Sequence, residues 1–275
     1  MRIFGLSIVR DEEDVVQEIF EKALQWCSHI YVLDNGSTDS TVEIIRALEK
    51  ATGRVTFAGY NTEVYDEAFR GILFNRYRSL ASNDDWWCRL DADEIYVDDP
   101  TEFLPHVSRS NHLVVSASFQ FYFTEEDARV WEEEPDRMRR TPVEERMHYY
   151  SCNHSEPRFF RHRDRLVWNG GAFPRHVGIV HPHRIRLKHY QYRSPAQIET
   201  RLRVRQETVE RGFRGWAYDN EASSWRGKIV PASQLRRLSG GAGDFHYDPM
   251  KLAPIVESPA RRFAKYVLHG LSIWP

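Results

Sequence analysis

Over its first hundred residues the chain repeatedly alternates an apolar run of strand length with a segment whose apolar side chains recur every three or four positions. Residues 3–9 are such a run, and Val15, Val16, Ile19, Phe20, Ala23, Leu24 and Cys27 follow on one helical face. The acids Asp11 to Asp14 between them suit a helix N-terminus. The pattern then predicts a strand at 30–33, a turn through Asp34-Asn35-Gly36-Ser37-Thr38-Asp39 and a helix over 40–50. A strand at 55–58, a helix over 66–81 and a strand at 86–90 come next. This is the grammar of an α/β fold, a mainly parallel sheet with crossover helices. In open sheets of this kind ligands bind outside the carboxyl ends of the strands, so Arg10, Asp34 and Asp91 to Asp93 are expected to converge on one edge.

Beyond residue 100 the rhythm changes. A short helix is expected near 101–107, a long strand over 113–123, and then a polar, acid- and arginine-rich insertion over 124–150, read as a surface loop or lid with some helix. Residues 158–167 suggest a small hairpin, and Asn169-Gly170-Gly171 with Pro174 mark a loop before a basic strand over 184–190. Ser194-Pro195 suits the start of a helix running to about Gly212. After Arg214 the segments are short and Gly240-Gly241-Ala242-Gly243 breaks them. The expected division is a first part over 1–110, a second over 111–212 carrying the 124–150 insertion, and a C-terminal extension over 213–275.

A chain of 275 residues can bury a sizeable core. With 41% hydrophobic and 28% charged residues it is not a disordered polymer. Its longest apolar runs fall short of the ~20 residues that span a bilayer. The N-terminal apolar stretch runs into Arg10-Asp11-Glu12-Glu13 without a small-residue cleavage site, which reads as a first core strand rather than a signal peptide. Cys27, Cys88 and Cys152 are odd in number and lack metal-ligand spacing, which points to free thiols and a reducing cytoplasm. Charge is uneven: residues 158–205 hold twelve Lys and Arg against two acids, a local +10 in a chain of net −2, so the remainder carries −12. Such a block is a landing surface for phosphates, acidic glycans or the inner membrane face, or else simply a solvated surface.

The chemistry-bearing segments are Arg89-Leu90-Asp91-Ala92-Asp93-Glu94, Leu33-Asp34-Asn35-Gly36-Ser37-Thr38-Asp39-Ser40-Thr41 and Ser7-Ile8-Val9-Arg10-Asp11-Glu12. Two carboxylates one residue apart at the end of a buried strand can place oxygens around a hard cation, Mn²⁺ or Mg²⁺, and leave positions for substrate phosphates. Taken alone the triplet is also an acidic turn, and Asp34 a turn-capping Asx residue. In this order and spacing the three segments closely resemble the nucleotide-sugar-binding half of the family 2 glycosyltransferases, which have the GT-A fold; the resemblance covers roughly the first 110 residues.

The resemblance implies that Asp34 meets the nucleobase, that Ser7, Val9 and Arg10 border the nucleoside, and that Asp93 contacts the metal. It further implies that Asp91, with Ala92 beside it, faces the sugar or ribose and can join the metal. His189, at the end of the basic strand, is the expected third metal ligand. Lys188, Arg193 and Arg186 are candidates to hold the diphosphate. For the base that takes the acceptor proton, Glu156 and His176 rank above Asp164, which is flanked by Arg163 and Arg165. Trp168, Phe173, Tyr190 and Tyr192 are candidate sugar platforms, with the glycines near Trp168 favouring its exposure.

The expected activity is sugar transfer with inversion from a nucleoside diphosphate sugar to a glycan or lipid-linked acceptor. Its setting would be bacterial surface polysaccharide assembly, in the cytoplasm or at the inner face of the membrane, with no nucleic-acid partner. The alternatives are a nucleotidyltransferase, which would carry a glycine-rich basic loop where Ser7 to Asp14 is acidic, and a nucleic-acid or anion-binding module using 158–205.

Overall fold

The computed structural model describes residues 1–212, 224–240, 245–253, 255 and 257–275. The first part follows the expected alternation: β1 (Ile3–Val9), α1 (Val16–Ala23), β2 (His29–Asp34), α2 (Thr41–Thr52), β3 (Val55–Tyr60), α3 (Phe69–Tyr77) and β4 (Trp86–Arg89). β1 pairs in parallel with both β2 and β4, and β3 adds in parallel outside β2. Because these strands are apolar without interruption, both faces of the sheet are covered. Phe20 of α1 and Ile45 of α2 pack on one face, and Leu73 and Phe74 of α3 pack with Leu6 and Trp87 on the other. α2 stops at Gly53, whose left-handed φ of 62° closes the helix.

The second part contains β5 (Glu94–Tyr96), α4 (Pro100–Phe103), β6 (Leu113–Phe121), α5 (Glu125–Glu133), α6 (Pro135–Arg140) and α7 (Val143–Arg146). After these come β7 (Tyr149–His154), β8 (Pro157–Arg161), β9 (Ile185–His189), α8 (Pro195–Glu210), β10 (Arg236–Arg237) and α9 (Pro259–Gly270). The strand order is β10-β7-β6-β8-β4-β1-β2-β3, with β9 on β6 and β5 on β9. The hairpin expected over 158–167 does not form. Phe159 and Phe160 are both fully buried, so β8 has no solvent face to offer a two-stranded ribbon, and it is sealed between β4 and β6 instead. β7 and β8 run along β6 as one broken antiparallel strand, and Glu156 sits at the break, its carbonyl accepting from the Ser116 N–H at 2.8 Å.

The 124–150 insertion, expected as a surface loop or lid with some helix, is largely helical, α5 to α7. Thr124 and Asp127 cap α5 reciprocally, with the Thr124 N–H donating to Asp127 Oδ2 at 2.8 Å. Phe123, Trp131 and Met138 then form a separate core with Tyr192, Ile198 and Leu202, so the insertion buttresses α8. Trp168 is buried, not exposed. Its indole donates to the Gly171 carbonyl at 2.8 Å, and Gly71 of α3 lies so close that a Cβ there would come within 2.9 Å of the Trp168 carbonyl. Tyr190 is also buried in the core.

The basic stretch over 158–205 is in part neutralised within the fold. Arg158, Arg186, Lys188, Arg193 and Arg201 pair with acids from elsewhere in the chain, among them Asp91, Asp98, Glu144, Asp14 and Asp93. Cys27 and Cys88 are buried and Cys152 half-buried, all as free thiols. Among the described residues no helix is long and apolar enough to cross a membrane. Of the glycine-rich break, residues 241–243 lie outside the described residues, as does 213–223 of the expected extension.

Candidate active site

A cleft of about 580 Å³ opens at the carboxyl edge of the sheet. It is lined by Val9 and Arg10 after β1, by Asp91, Ala92 and Asp93 after β4, by Tyr65, Glu67 and Arg70, by His154 and Glu156, and by His189, Tyr192 and Arg201.

Backbone pairing explains how two distant residues meet here. β5 runs antiparallel to β9 with Glu94 opposite His189, and the Tyr190 N–H donates to the Asp93 carbonyl at 2.9 Å. The Asp93 carboxylate is thereby set beside the His189 ring, Oδ2 to Nε2 at 3.3 Å. Arg201 of α8 reaches the same oxygen at 3.1 Å, and Arg193 approaches it at 3.8 Å. Arg193, wholly buried, also holds Glu12 at 2.5 Å and Asp14 at 2.7 Å. Burial pushes the Asp93 carboxyl up, but His189, Arg201 and Arg193 more than offset it and hold it well below the usual range. At Glu12 burial wins over Arg193, and the carboxyl is raised to about 7.

Asp91 has different company. Arg70 binds its Oδ1, and Arg158 binds its Oδ2 at 2.8 Å. Arg158 also reaches Glu94 and, at 2.5 Å, Glu156. Arg89 holds Glu67 at 2.6 Å and lies 3.5 Å from Glu156. Oxygens of Asp91, Glu94 and Glu156 come within 4.8 Å of one another, a spacing that would suit a metal, but Arg158 bonds all three and is itself the cation there. Both Asp91 oxygens are thus engaged by guanidinium groups, whereas Asp93 pairs with His189.

Several expected site residues lie elsewhere. Ser7 is fully buried within β1 and does not line the cleft. Asp34 is also buried, and its carboxylate accepts from the Gly36 N–H at 2.9 Å and the Ser37 N–H at 3.0 Å, the turn-capping geometry; its neighbour Asn35 lines the cleft instead. Lys188 is drawn to Glu144 at 2.5 Å and over the Phe245 ring, and Arg186 to Asp98 at 2.6 Å. Arg193 sits behind the cleft, consumed by its acids. His176 is remote, in a left-handed backbone conformation with its ring 4.4 Å from that of Trp274. Glu156 does line the cleft, yet it makes a poor base: burial pushes it up, but Arg158, a hydrogen bond from His154, and Arg89 drive it far below the ordinary carboxylate range.

Sequence reasoning missed His154, whose Nε2 lies 3.4 Å from Glu156 Oε1, and the cleft roles of Arg70, Arg201 and Glu12. His154 and Glu156 flank one residue at a strand break, a signal that the sequence does carry. Arg201 is visible there only as one of twelve cations.

The sequence model of glycosyl transferase family 2 matches residues 7–169, and the chain belongs to that family. Its curled, mixed α/β sheet is the expected GT-A architecture. Similar solved structures include S. aureus TarS with UDP, 14% identical with a TM-score of 0.31, covering 46% of this chain and 36% of that one. Another is a mannosyltransferase from Pyrobaculum calidifontis with GDP-Man and Mn²⁺, 13% identical with a TM-score of 0.42, covering 78% and 66%. A third is glucosyl-3-phosphoglycerate synthase from Mycobacterium tuberculosis, 20% identical with a TM-score of 0.25, covering 49% and 50%. The chain thus spans between 36% and 66% of the length of these proteins. No curated protein matches it.

Proposed function

We propose that the chain transfers a sugar from a nucleoside diphosphate sugar, with Mn²⁺ or Mg²⁺, to a hydroxyl of a glycan or lipid-linked acceptor, with inversion. The observation that carries this reading is the Asp93–His189 pair at the carboxyl edge of the sheet, 3.3 Å apart. Two ligands of one octahedral cation, each at about 2.1 Å, lie about 3 Å from one another, so the spacing of the pair suits such an ion once Arg201 gives up the shared Asp93 oxygen. A bound divalent cation would neutralise the departing diphosphate.

The other residues take roles around that point. Arg10 and Asn35 border the nucleoside, and Asn35 Nδ2 already donates to the Asn61 and Glu63 carbonyls, which leaves its oxygen for a base N–H. Asp91, held by Arg70 and Arg158, orients the donor sugar. Tyr65, Tyr122 and Tyr192 line the cleft and offer faces for acceptor rings. His154 takes the acceptor proton while Glu156, too acidic to do so, orients it. In this reading residues 1–110 handle the donor and 111–212 the acceptor, except that His189 and Arg201 return to the donor side. The family and the absence of a spanning helix among the described residues are consistent with work on bacterial surface polysaccharide from the cytoplasmic side.

The test is a thermal-shift screen against UDP, GDP, CDP and dTDP, each with Mn²⁺, Mg²⁺ or a chelator. A metal-dependent rise with one diphosphate is expected, about 2.7 kcal/mol at a hundred times its Kd. No rise with any of them overturns the reading.

A further inference from the structure

The C-terminal helix α9 is mounted inside out. None of its residues is buried. The side turned to the protein carries Arg262, Lys265, Leu268 and His269, all half-buried, while Phe263 and Tyr266, three residues apart on the opposite face, are 69% and 61% exposed. Leu271 and Ile273 just beyond the helix are also exposed. A helix stabilised only by its own protein would bury its aromatics and show its cations to water.

The attachments are polar. Lys265 donates to the Gly178 carbonyl at 2.8 Å and pairs with Glu257. Arg165 donates to the carbonyls of Ser272 at 2.6 Å and Trp274 at 3.0 Å, and the His269 ring lies 4.6 Å from that of His112. These bonds fix the helix while leaving its apolar face without a partner among the described residues.

Charge indicates what covers that face. Residues 258–275 contain Arg261, Arg262 and Lys265 and no acid. Arg163 and Arg165 join this segment through its backbone and His269, and Arg175 is exposed beside His176, on which Trp274 packs. Packed on a second copy, this face would set cations against cations, which disfavours self-association. Aromatic and aliphatic side chains ringed by arginines, on a helix lying flat on its protein, are what the interface of an anionic bilayer accepts.

We infer that α9 and the segment after it form a peripheral docking surface for an anionic lipid bilayer, with Phe263, Tyr266, Leu271 and Ile273 entering the headgroup layer and Arg261 and Arg262 meeting lipid phosphates. The surface is independent of the cleft chemistry. His112, against α9, precedes the start of β6, whereas Gln120 near the other end of that strand lines the cleft. Over the eight residue steps from His112 to Gln120 the distance is about 26 Å.

The test is co-sedimentation of the whole chain with phosphatidylcholine vesicles, with and without phosphatidylglycerol. The comparison is with a Phe263→Ser, Tyr266→Ser double variant and an Arg261→Glu, Arg262→Glu double variant. Binding to the phosphatidylglycerol vesicles is expected, falling with salt and weakened about tenfold or more in each double variant. Because Phe263, Tyr266 and Arg261 are exposed and Arg262 only half-buried, the variants keep the melting temperature of the parent. Absence of vesicle binding by the parent overturns the inference, as does unchanged binding by the aromatic variant or equal binding to neutral vesicles. A dimer in light scattering that the aromatic variant dissociates would assign the face to a second copy instead.

Discussion

Asp91 and Asp93 are separated by a single residue, yet they belong to different electrostatic worlds. Asp91 is fixed by Arg70 and Arg158, whose side chains are 3% and 1% exposed and which also serve Glu67, Glu94 and Glu156. Asp93 shares one oxygen between His189 and Arg201, and the Arg201 side chain comes from α8 and is 24% exposed. The first network is closed and its cations are part of the core. The second contains a cation that can leave, because the rest of Arg201 reaches solvent. The acidic triplet thus combines a structural anchor with an exchangeable ligand.

The largest effect that can break this contrast is on stability. Arg158→Met strands the fully buried Glu94 and takes one partner from Asp91 and from Glu156, and loss of one partner of a buried pair costs ~3–5 kcal/mol. Arg201→Gln, at a partly exposed site, should cost about 1 kcal/mol or less. Urea midpoints of the two variants decide it, and equal losses would show that the networks do not differ.

Next comes ligand binding. Asp93→Asn should abolish the metal-dependent part of the nucleotide thermal shift, worth about 2.7 kcal/mol at saturating ligand, with the fold intact. Asp91→Asn should instead lower the melting temperature of the free protein and keep the metal dependence. A metal dependence that survives Asp93→Asn would sink the assignment. A smaller effect concerns Arg201 as the resident counter-cation of Asp93. Arg201→Gln should bind Mn²⁺ in the absence of nucleotide roughly tenfold more tightly, about 1.4 kcal/mol, by titration calorimetry. Unchanged affinity would mean that Arg201 does not compete with the metal.

A separate effect is a pH dependence at Glu12. Its folded carboxyl is raised to about 7 from 4.5, so the folded state holds this proton more tightly than the unfolded chain. The contribution is fully present below 4.5 and is lost as pH rises through about 7. The stability of the parent relative to Glu12→Gln should therefore fall between those values. A difference that stays flat, or rises, would place Glu12 outside the Asp93 network.

Much of the scaffold is legible residue by residue. The strands β1 to β4 and the helices between them declare themselves through unbroken apolar runs and a three-to-four-residue period. α8 begins where Ser194-Pro195 predicts, with the Ser194 hydroxyl accepting from the Gln197 N–H at 3.2 Å. The site is only partly legible. Arginines flanking Asp164 in the chain argue against it as a base, but the same objection falls more heavily on Glu156, whose arginines include one from another strand. Trp168 sits among glycines, which suggests exposure, whereas its burial depends on the absence of a side chain at Gly71 in α3. The 124–150 insertion reads as a lid because its apolar residues find their partners on α8, which the local pattern does not reveal.

By itself the sequence determined the α/β alternation, the edge where ligands gather, the caps, and the candidacy of Asp91, Asp93 and His189. The alternation, the edge and the caps rest on periodicity, turn chemistry and residue type within a few positions, and the candidacy of Asp91, Asp93 and His189 on the acidic triplet together with the family resemblance. Only the tertiary structure decided which cation serves which carboxylate, that His154 stands beside Glu156 while His176 lies elsewhere, and that α9 turns its aromatics outward. Ion pairing and burial depend on distance through space, and in this chain the partners are brought together by strand pairing between segments far apart in sequence.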